Sequence, residues 1–330
     1  MRFSLFSLSL LGLRVSALPS LFSGTDAVAA LAKRQTNDEV IGYASLNGGT
    51  TGGGSAPTTT VTTFDELVAA VAGDEAKTVI VSGTIKMEAA QVNIGSNTSL
   101  LGKDSGAILI GFGVLVKGKT NVIIRNLTIQ KVLEKNGDAI GVSTSTNVWI
   151  DHVDLSSEMT GDKNTYDGLI DVTTGSDYIT ISNSFIHDHH KASLVGNGDD
   201  TGSIDSGKMR VTFHNNYFLN VGSRAPLYRW GSGHVFNSYF EDVPDGIHVR
   251  SDAQVLVESN TWAGDVNKAI FSTSDGTPAG HAVERDNDFG GATTDFPVGT
   301  LTKVPYDYTL LGPDNVAAAV KGSAGAKLKF

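Results

Sequence analysis

Between residues 166 and 230 the chain reads YDGLIDV (166–172), KASLVG (191–196) and RAPLYRW (224–230). GDAIGV (137–142) precedes these segments and DGIHVRS (245–251) follows them. Each is a short apolar strand that opens, or nearly opens, on a charge: Asp138, Asp167, Lys191, Arg224 and Asp245. Several carry a second charge four or five positions on, at Asp171, Arg229 and Arg250. If such strands stack, the charges form columns on one face, acidic at one end and basic further along.

The surrounding sequence supplies the reason to stack. NVIIRNLTI (121–129), NVWIDHVDL (147–155), YITISNSFI (178–186), RVTFHNNYF (210–218), HVFNSYF (234–240) and QVLVESNTW (254–262) align without gaps. Placing Asn126, His152, Asn183, Asn215, Asn237 and Ser259 in one column gives steps of 26, 31, 32, 22 and 22 residues. Within each unit, β-branched and aromatic residues alternate with period two between polar corners, which reads as strands. A repeat this short cannot bury its own apolar face, so successive coils must stack. Stacked strands lie about 4.8 Å apart, which puts equivalent residues in columns. An all-β, right-handed parallel β-helix fits. Recurrent Asn at one corner (Asn126, Asn183, Asn215, Asn237) reads as a side-chain amide ladder. The longer steps place insertions near residues 158–166 and 197–208, where loops on one face of a solenoid build a cleft.

Thr63-Phe-Asp-Glu66 forms a capping box opening a helix over about 64–71, suited to cover one end of the solenoid. The glycine cluster at 48–54 lacks a following Gly-Lys-Ser/Thr and reads as turns and extended edge. Residues 306–330 lose the repeat, with a short helix expected over 314–321 to pack back on the coil.

Residues 1–17 combine Arg2, an apolar run from Leu5 to Leu13 and a small-residue exit, which reads as a secretory signal. Lys33-Arg34 resembles a dibasic propeptide junction, so a propeptide is expected at 18–34 and the solenoid domain at 35–330. No later stretch is apolar for long enough to span a membrane. The chain carries a net charge of −10, and the domain from Gln35 about −13 by counting. Bulk electrostatics therefore exclude a general nucleic-acid binder. With no cysteine, no disulfide supports the fold, so an extensive core must.

Asp138, Asp167 and Asp171 are hard oxygen ligands without Cys or His, a set suited to Ca²⁺. On a straight strand Asp167 and Asp171 lie roughly 13 Å apart, so sharing an ion needs a bend, which Gly168 is placed to allow. Solvated corner residues are the plainer reading of any one aspartate; three in adjacent coils favour metal. Lys191, Arg224, Arg229 and Arg250 form a basic strip on an acidic protein. Pro226 interrupts ladder pairing and reads as an irregular or exposed edge. Arginine suits planar carboxylate recognition, so the site as a whole suits a polyanion bearing carboxylates. Tyr228 and Trp230 are candidates to line a sugar cleft, whereas Trp149 and Trp262 read as packing. His187, His189 and His190 do not alternate as a compact metal triad, and His152 reads as structural. The sequons at Asn97 and Asn126 lie inside coils, which argues against glycosylation.

At GFGVLVK (111–117), NVIIRNL (121–127), WIDH (149–152), DGLID (167–171) and RAPLYR (224–229) the chain resembles the fungal extracellular pectate lyases of polysaccharide lyase family one. The resemblance runs from Gly42 to beyond Trp262. It implies the parallel β-helix, and eliminative cleavage of (1→4)-α-D-galacturonan with Ca²⁺ as cofactor. Asp138, Asp167 and Asp171 match the family's calcium ligands, and Arg224 the arginine that abstracts the proton. Lys191, Arg229 and Arg250 match residues gripping substrate carboxylates. Asn136 stands where some bacterial members have another acidic ligand. A secreted monomer acting on polygalacturonate, with no nucleic-acid or membrane partner, is the resulting expectation. Since guanidinium stays protonated far above neutrality, an arginine base implies an alkaline optimum. Pectin lyase, polygalacturonase and a non-catalytic carbohydrate-binding β-helix are the competing readings.

Overall fold

The computed structural model describes residues 20–21, 39–273 and 277–330. The proposed signal and propeptide fall outside these residues, except for Ser20–Leu21, which pairs in parallel with Thr309–Leu310. The rest is a parallel solenoid whose coils contribute strands to sheets of ten, eight and nine strands. Every strand pairing in the three sheets is parallel to the next coil, as in Val148↔Val122 and Val148↔Ile179.

Period-two alternation sends one column of each sheet inward. In the ten-strand sheet, Val79, Leu100, Ile124, Ile150, Ile181, Phe213, Val235 and Val257 lie in register and are buried. The eight-strand sheet aligns Ile129, Leu155, Ile186, Phe218, Phe240 and Trp262. There Phe218 stacks on Phe240 at 4.9 Å and Phe240 on Trp262 at 4.4 Å, with interplanar angles of 8° and 9°. Stacked coils place like rings at stacking distance, so the pattern repeats from coil to coil. Trp262 is therefore core, as its repeat position indicates.

The recurrent corner has a backbone cause. Strands Thr120–Arg125, Thr146–Asp151, Asp177–Ser182, Arg210–His214, Ser232–Phe236 and Gln254–Glu258 each end one residue before the aligned corner. At that corner Asn126, His152, Asn183, Asn215, Asn237 and Ser259 all have φ between 49° and 60°. Asn tolerates this left-handed conformation better than most residues with a Cβ. The amide ladder read from the sequence reduces to one rung, Asn215 Nδ2 to Asn183 Oδ1 at 3.3 Å. The other amides serve the chain's tail: Asn126 exchanges two hydrogen bonds with the Leu328 backbone, and Asn237 two with Thr309 and Leu311. The corner residue is chosen for its φ, and the amide is then free for other partners. Asn126 is fully buried and Asn97 donates to the Asp74 carbonyl, so both sequon amides are occupied in the fold.

Two of the three outer faces are covered. Residues 43–52 lie across the ten-strand sheet, with the Tyr43 and Ala44 amides donating to Thr212 and Thr180 hydroxyls and Asn147 holding the Leu46 and Gly49 carbonyls. Tyr306 and Tyr308 continue that cover. The expected C-terminal helix spans Pro313–Ser323 and buries Val316 and Val320 against Tyr239 of the eight-strand sheet. The first helix, Phe64–Val71, has the capping box, and Leu67 and Val71 plug into the main core at the first coils.

One buried charge network ties three successive coils together. The Asp151 carboxylate accepts from Arg125 Nε at 2.7 Å, Ser182 Oγ at 2.6 Å and Asn183 Nδ2 at 2.8 Å, and lies 2.6 Å from His152 Nδ1. Burial alone would raise its pKa, but His152, Arg125 and Ser182 outweigh it and hold the carboxyl well below the usual range. His152 is thus structural, as expected. Trp149 covers the network, donating to Ser182 Oγ at 2.9 Å, with the Arg125 guanidinium 5.0 Å from its ring. A lowered folded-state pKa means stability present at neutral pH and lost as pH falls below about 4. Asp151→Asn should cost about 3–5 kcal/mol at pH 7, because it breaks a buried pair. The gap in melting temperature between wild type and variant should narrow below pH 4, as read by calorimetry.

Candidate active site

The nine-strand sheet is the one whose outer face carries the charges. Its inward column runs Val116, Val142, Val172, Val195, Tyr228 and Val249, all buried. Tyr228, read from sequence as a cleft residue, belongs to that column and donates its hydroxyl to the Val211 carbonyl at 3.1 Å. Residues one step off face outward: Gly141, Asp171, Leu194, Leu227 and His248 lie in register, and Arg229 pairs directly with Arg250. Asp171, Arg229 and Arg250 therefore share the outer face of this sheet.

The remaining charges lie at the corner leading into it. Asp138 precedes strand Ile140–Ser143, Asp167 precedes Ile170–Thr173, Lys191 precedes Ser193–Val195, and Arg224 precedes Leu227–Arg229. Backbone bonds stack these corners: Ala139 N to Gly168 O, Leu169 N to Ala192 O, and Ser193 N to Arg224 O at 2.8 Å. The expected gradient from acidic to basic along the coils is present. Pro226, read as an irregular or exposed edge, is irregular but buried, and its cis peptide with Ala225 leads into the strand.

The expected bend is present, at Leu169 beside Gly168, and Gly168 has a further role there. Its φ is not in the left-handed region, and its amide donates to Asp138 Oδ1 at 3.1 Å. A Cβ at this position would be driven into the Asp171 carboxylate. The missing side chain lets Asp171 fold back against the corner, which brings the three aspartates into one electrostatic group. Burial and then Asp167 push Asp138 up to about 7. Burial and then Asp138 push Asp171 well above the usual range, against the pull of Arg224. The corner is short of positive charge. Asp171 Oδ1 accepts the Leu194 amide at 3.0 Å, which fixes its direction.

Among the described residues, no trio of His, Cys, Asp and Glu side chains is arranged to hold a metal ion unaided. The donor chemistry nonetheless fits a hard divalent cation. Oxygen ligands that raise one another's pKa are relieved by such an ion, and calcium completes its shell with water and further carboxylates. Asn136 is engaged elsewhere, donating to the Gly111 carbonyl at 3.3 Å.

The basic residues have distinct partners. Lys191 Nζ lies 3.7 Å from Asp167 Oδ1. Arg229 Nε and Arg250 Nη2 both reach Asp199, at 2.9 and 3.0 Å. Arg224 alone of the four makes no side-chain hydrogen bond or ion pair among the described residues, although Asp171 feels its charge. Trp230 donates to the Gly198 carbonyl at 2.9 Å and packs on Gly202, holding the inserted loop rather than presenting its ring freely.

Two participants escaped the sequence reading. Asp199 sits in the inserted loop with no strand pattern to mark it. His189 Nε2 lies 2.5 Å from the Asp167 carbonyl oxygen and Nδ1 2.5 Å from Ser157 Oγ. Burial, chiefly, lowers the His189 pKa to about 4, so at neutral pH the uncharged ring steadies the Asp167 backbone. His187 instead bridges Asp154 and Asp188.

A parallel solenoid with an acidic corner beside a strip of arginines on one outer face presents a surface suited to a carboxylate-bearing ligand. Residues 16–311 match the model of the family described as Pectate lyase. The chain is 60% identical to "Probable pectate lyase A" of Aspergillus fumigatus over 94% of this chain and 95% of that relative. It is also 60% identical to "Pectate lyase A" of Aspergillus niger, over 92% and 93%. Among solved structures, a pectate lyase from Bacillus sp. N165 in complex with trigalacturonate is 31% identical, with a TM-score of 0.78, covering 87% of this chain and 98% of that one. This chain belongs to the pectate lyase family.

Gly168→Ala should displace the Asp171 carboxylate, lowering activity at least tenfold. The far-ultraviolet circular dichroism should stay unchanged, since the surrounding ladders are intact. Full activity in the variant would show that the position of Asp171 is immaterial.

Proposed function

We propose that this protein cleaves pectate, the (1→4)-α-D-galacturonan, by calcium-dependent β-elimination. The observation that carries the reading is Arg224. It stands at the corner between the aspartates and the arginine pair, and among the described residues no carboxylate ties it down. Its neighbours Lys191, Arg229 and Arg250 each have one. A cation held for structure is normally paired; one left open beside an acidic corner is available to substrate.

Asp138, Asp167 and Asp171 would hold the calcium ion. Bound there, it would withdraw charge from a uronate carboxylate and so acidify the C5 proton of that sugar. Lys191, Arg229 and Arg250 orient neighbouring carboxylates along the sheet, with arginine's planar fork matching them bidentately. Arg224, acting as the neutral guanidine, receives the C5 proton and becomes the guanidinium. The electron pair of that C–H bond forms the C4–C5 double bond, the C4–O glycosidic bond breaks, and the leaving oxygen takes its proton from solvent. The product has a 4,5-unsaturated non-reducing end. The apolar run from Leu5 to Leu13 and the pair Lys33-Arg34 support secretion and removal of residues 1–34. No helix among the described residues is long and apolar enough to cross a membrane.

Polygalacturonate incubated with the protein at alkaline pH should give ultraviolet absorbance from unsaturated ends when Ca²⁺ is present, and none with chelator. Reducing ends without that absorbance would mean a hydrolase. Absorbance only on methylated pectin, indifferent to chelator, would mean a pectin lyase. Arg224→Ala should lower kcat at least a hundredfold, the usual scale for loss of an acid–base group, with substrate binding retained. Wild-type turnover in that variant would remove the arginine from the chemistry and favour a binding role for the cleft.

The acidic corner carries a second consequence. Asp138→Asn removes one member of a repelling group, so in chelator its melting temperature should exceed wild type by roughly 2–4 °C. With saturating calcium the order should reverse, because only the wild type gains ligand stabilisation.

A further inference from the structure

The basic strip is occupied by a carboxylate of the protein's own. Asp199 accepts Arg229 Nε at 2.9 Å through Oδ1 and Arg250 Nη2 at 3.0 Å through Oδ2, and the Ser251 hydroxyl also donates to Oδ1. Burial would raise its pKa, but Ser251 and the two guanidiniums outweigh that and lower it, so it is anionic at neutral pH. One carboxylate shared by two guanidiniums leaves the group a net positive charge.

Two roles are open to such a residue: a competitor that substrate must displace, or a fixed brace. The loop that bears it decides between them. Thr201 Oγ1 reaches Asp205 Oδ2 at 2.5 Å, and Asp205 Oδ1 accepts the Gly175 amide at 2.6 Å. Asp205 is fully buried. Trp230, which follows Arg229, donates to the Gly198 carbonyl next to Asp199 and lays its ring on Gly202. The loop is thus tied to two neighbouring coils by contacts independent of Arg229 and Arg250. Arg229 is held through Nε, and its outer guanidinium edge keeps one long contact, Nη1 to Gly196 O at 3.4 Å. On Arg229 the carboxylate grips the inner nitrogen, so the outer edge can take a second carboxylate, whereas Arg250 is engaged at Nη2 by both Asp199 and Thr277 Oγ1, the latter at 3.4 Å.

We propose that Asp199 is a positioning residue for substrate binding: anchored on Arg250 and Ser251, it holds the Arg229 guanidinium at a fixed angle so that its outer edge can meet a uronate carboxylate of the bound polymer. This rests on the function proposed above. Without the brace, two adjacent arginines repel and their long side chains sample many rotamers, which substrate must then order. The loss falls on binding rather than on the proton transfer at Arg224.

The test compares wild type, Asp199→Asn and Asp199→Glu by steady-state kinetics on polygalacturonate with Ca²⁺. Asp199→Asn keeps the shape but loses the charge, and should raise KM about tenfold with kcat within about twofold. Asp199→Glu should recover part of the KM. In an Arg229→Ala background the Asp199→Asn effect should shrink, since the partner it braces is gone. An unchanged or lower KM in Asp199→Asn overturns the proposal, the lower value identifying a competitor. An equal loss of kcat and kcat/KM also overturns it. If wild type itself releases no unsaturated product, the function reading fails, and this proposal fails with it; an active wild type with an indifferent Asp199→Asn sinks the brace alone.

Discussion

Parallel stacking of coils at about 4.8 Å is the constraint from which the rest follows. Every residue acquires an equivalent directly above and below, so a choice made once is repeated or answered in the next coil. For apolar residues this is favourable: Phe218, Phe240 and Trp262 stack inside the eight-strand sheet, and valines line the nine-strand sheet. For charged residues it is costly unless the column alternates or is relieved. Asp138, Asp167 and Asp171 are neither spaced apart nor neutralised by Lys191 alone, and burial, with the neighbouring aspartates adding to it, raises the pKa of Asp138 and Asp171. Such a departure from local consistency is expected where function, rather than stability, sets the residue.

A solenoid has three outer faces, and their fates differ. The segment 43–52, together with Tyr306 and Tyr308, covers the ten-strand sheet, and helix Pro313–Ser323 covers the eight-strand sheet. Both covers come from segments outside the repeat. The nine-strand sheet is flanked instead by the inserted loops around 158–166 and 197–208, and it is there that the charges gather. The rigid scaffold therefore leaves one face for chemistry, with sheet residues such as Asp171 supplying precision and loop residues such as Asp199 adjusting them.

Asp151 and Asp199 show how context assigns a carboxylate its role. Asp151 is sealed under Trp149 with Arg125 and Ser182, and its charge is spent entirely on joining coils. Asp199 also meets two basic groups, but on the outer face of the nine-strand sheet, where the outer edge of Arg229 keeps a single long contact. The difference lies in burial, not in the partners' chemistry.

The sequence by itself determined the solenoid, because period-two apolar runs at steps as short as 22 residues admit no other way to bury their faces. It also placed Asp138, Asp167, Asp171, Lys191, Arg224, Arg229 and Arg250 near one another, since stacking converts equal repeat positions into spatial neighbours. The helix at 64–71 was legible from its capping box, and the C-terminal helix from its break with the repeat. What the sequence could not decide is whatever depends on contacts between a repeat and a non-repeating segment. Tyr228 looks like a cleft residue until the alternation of its strand is counted from the three-dimensional register. The corner asparagines look like a ladder until their left-handed φ and their bonds to the tail are seen. Gly168 reads as the place for a bend, and the chain does bend at Leu169; that the same glycine leaves room for the Asp171 carboxylate shows only in three dimensions. Asp199 carries no pattern, because its loop's position is fixed by contacts to Trp230 and Gly175, which lie in neighbouring coils. Repetition makes columns readable in one dimension; insertions escape that reading because only tertiary packing determines where they land.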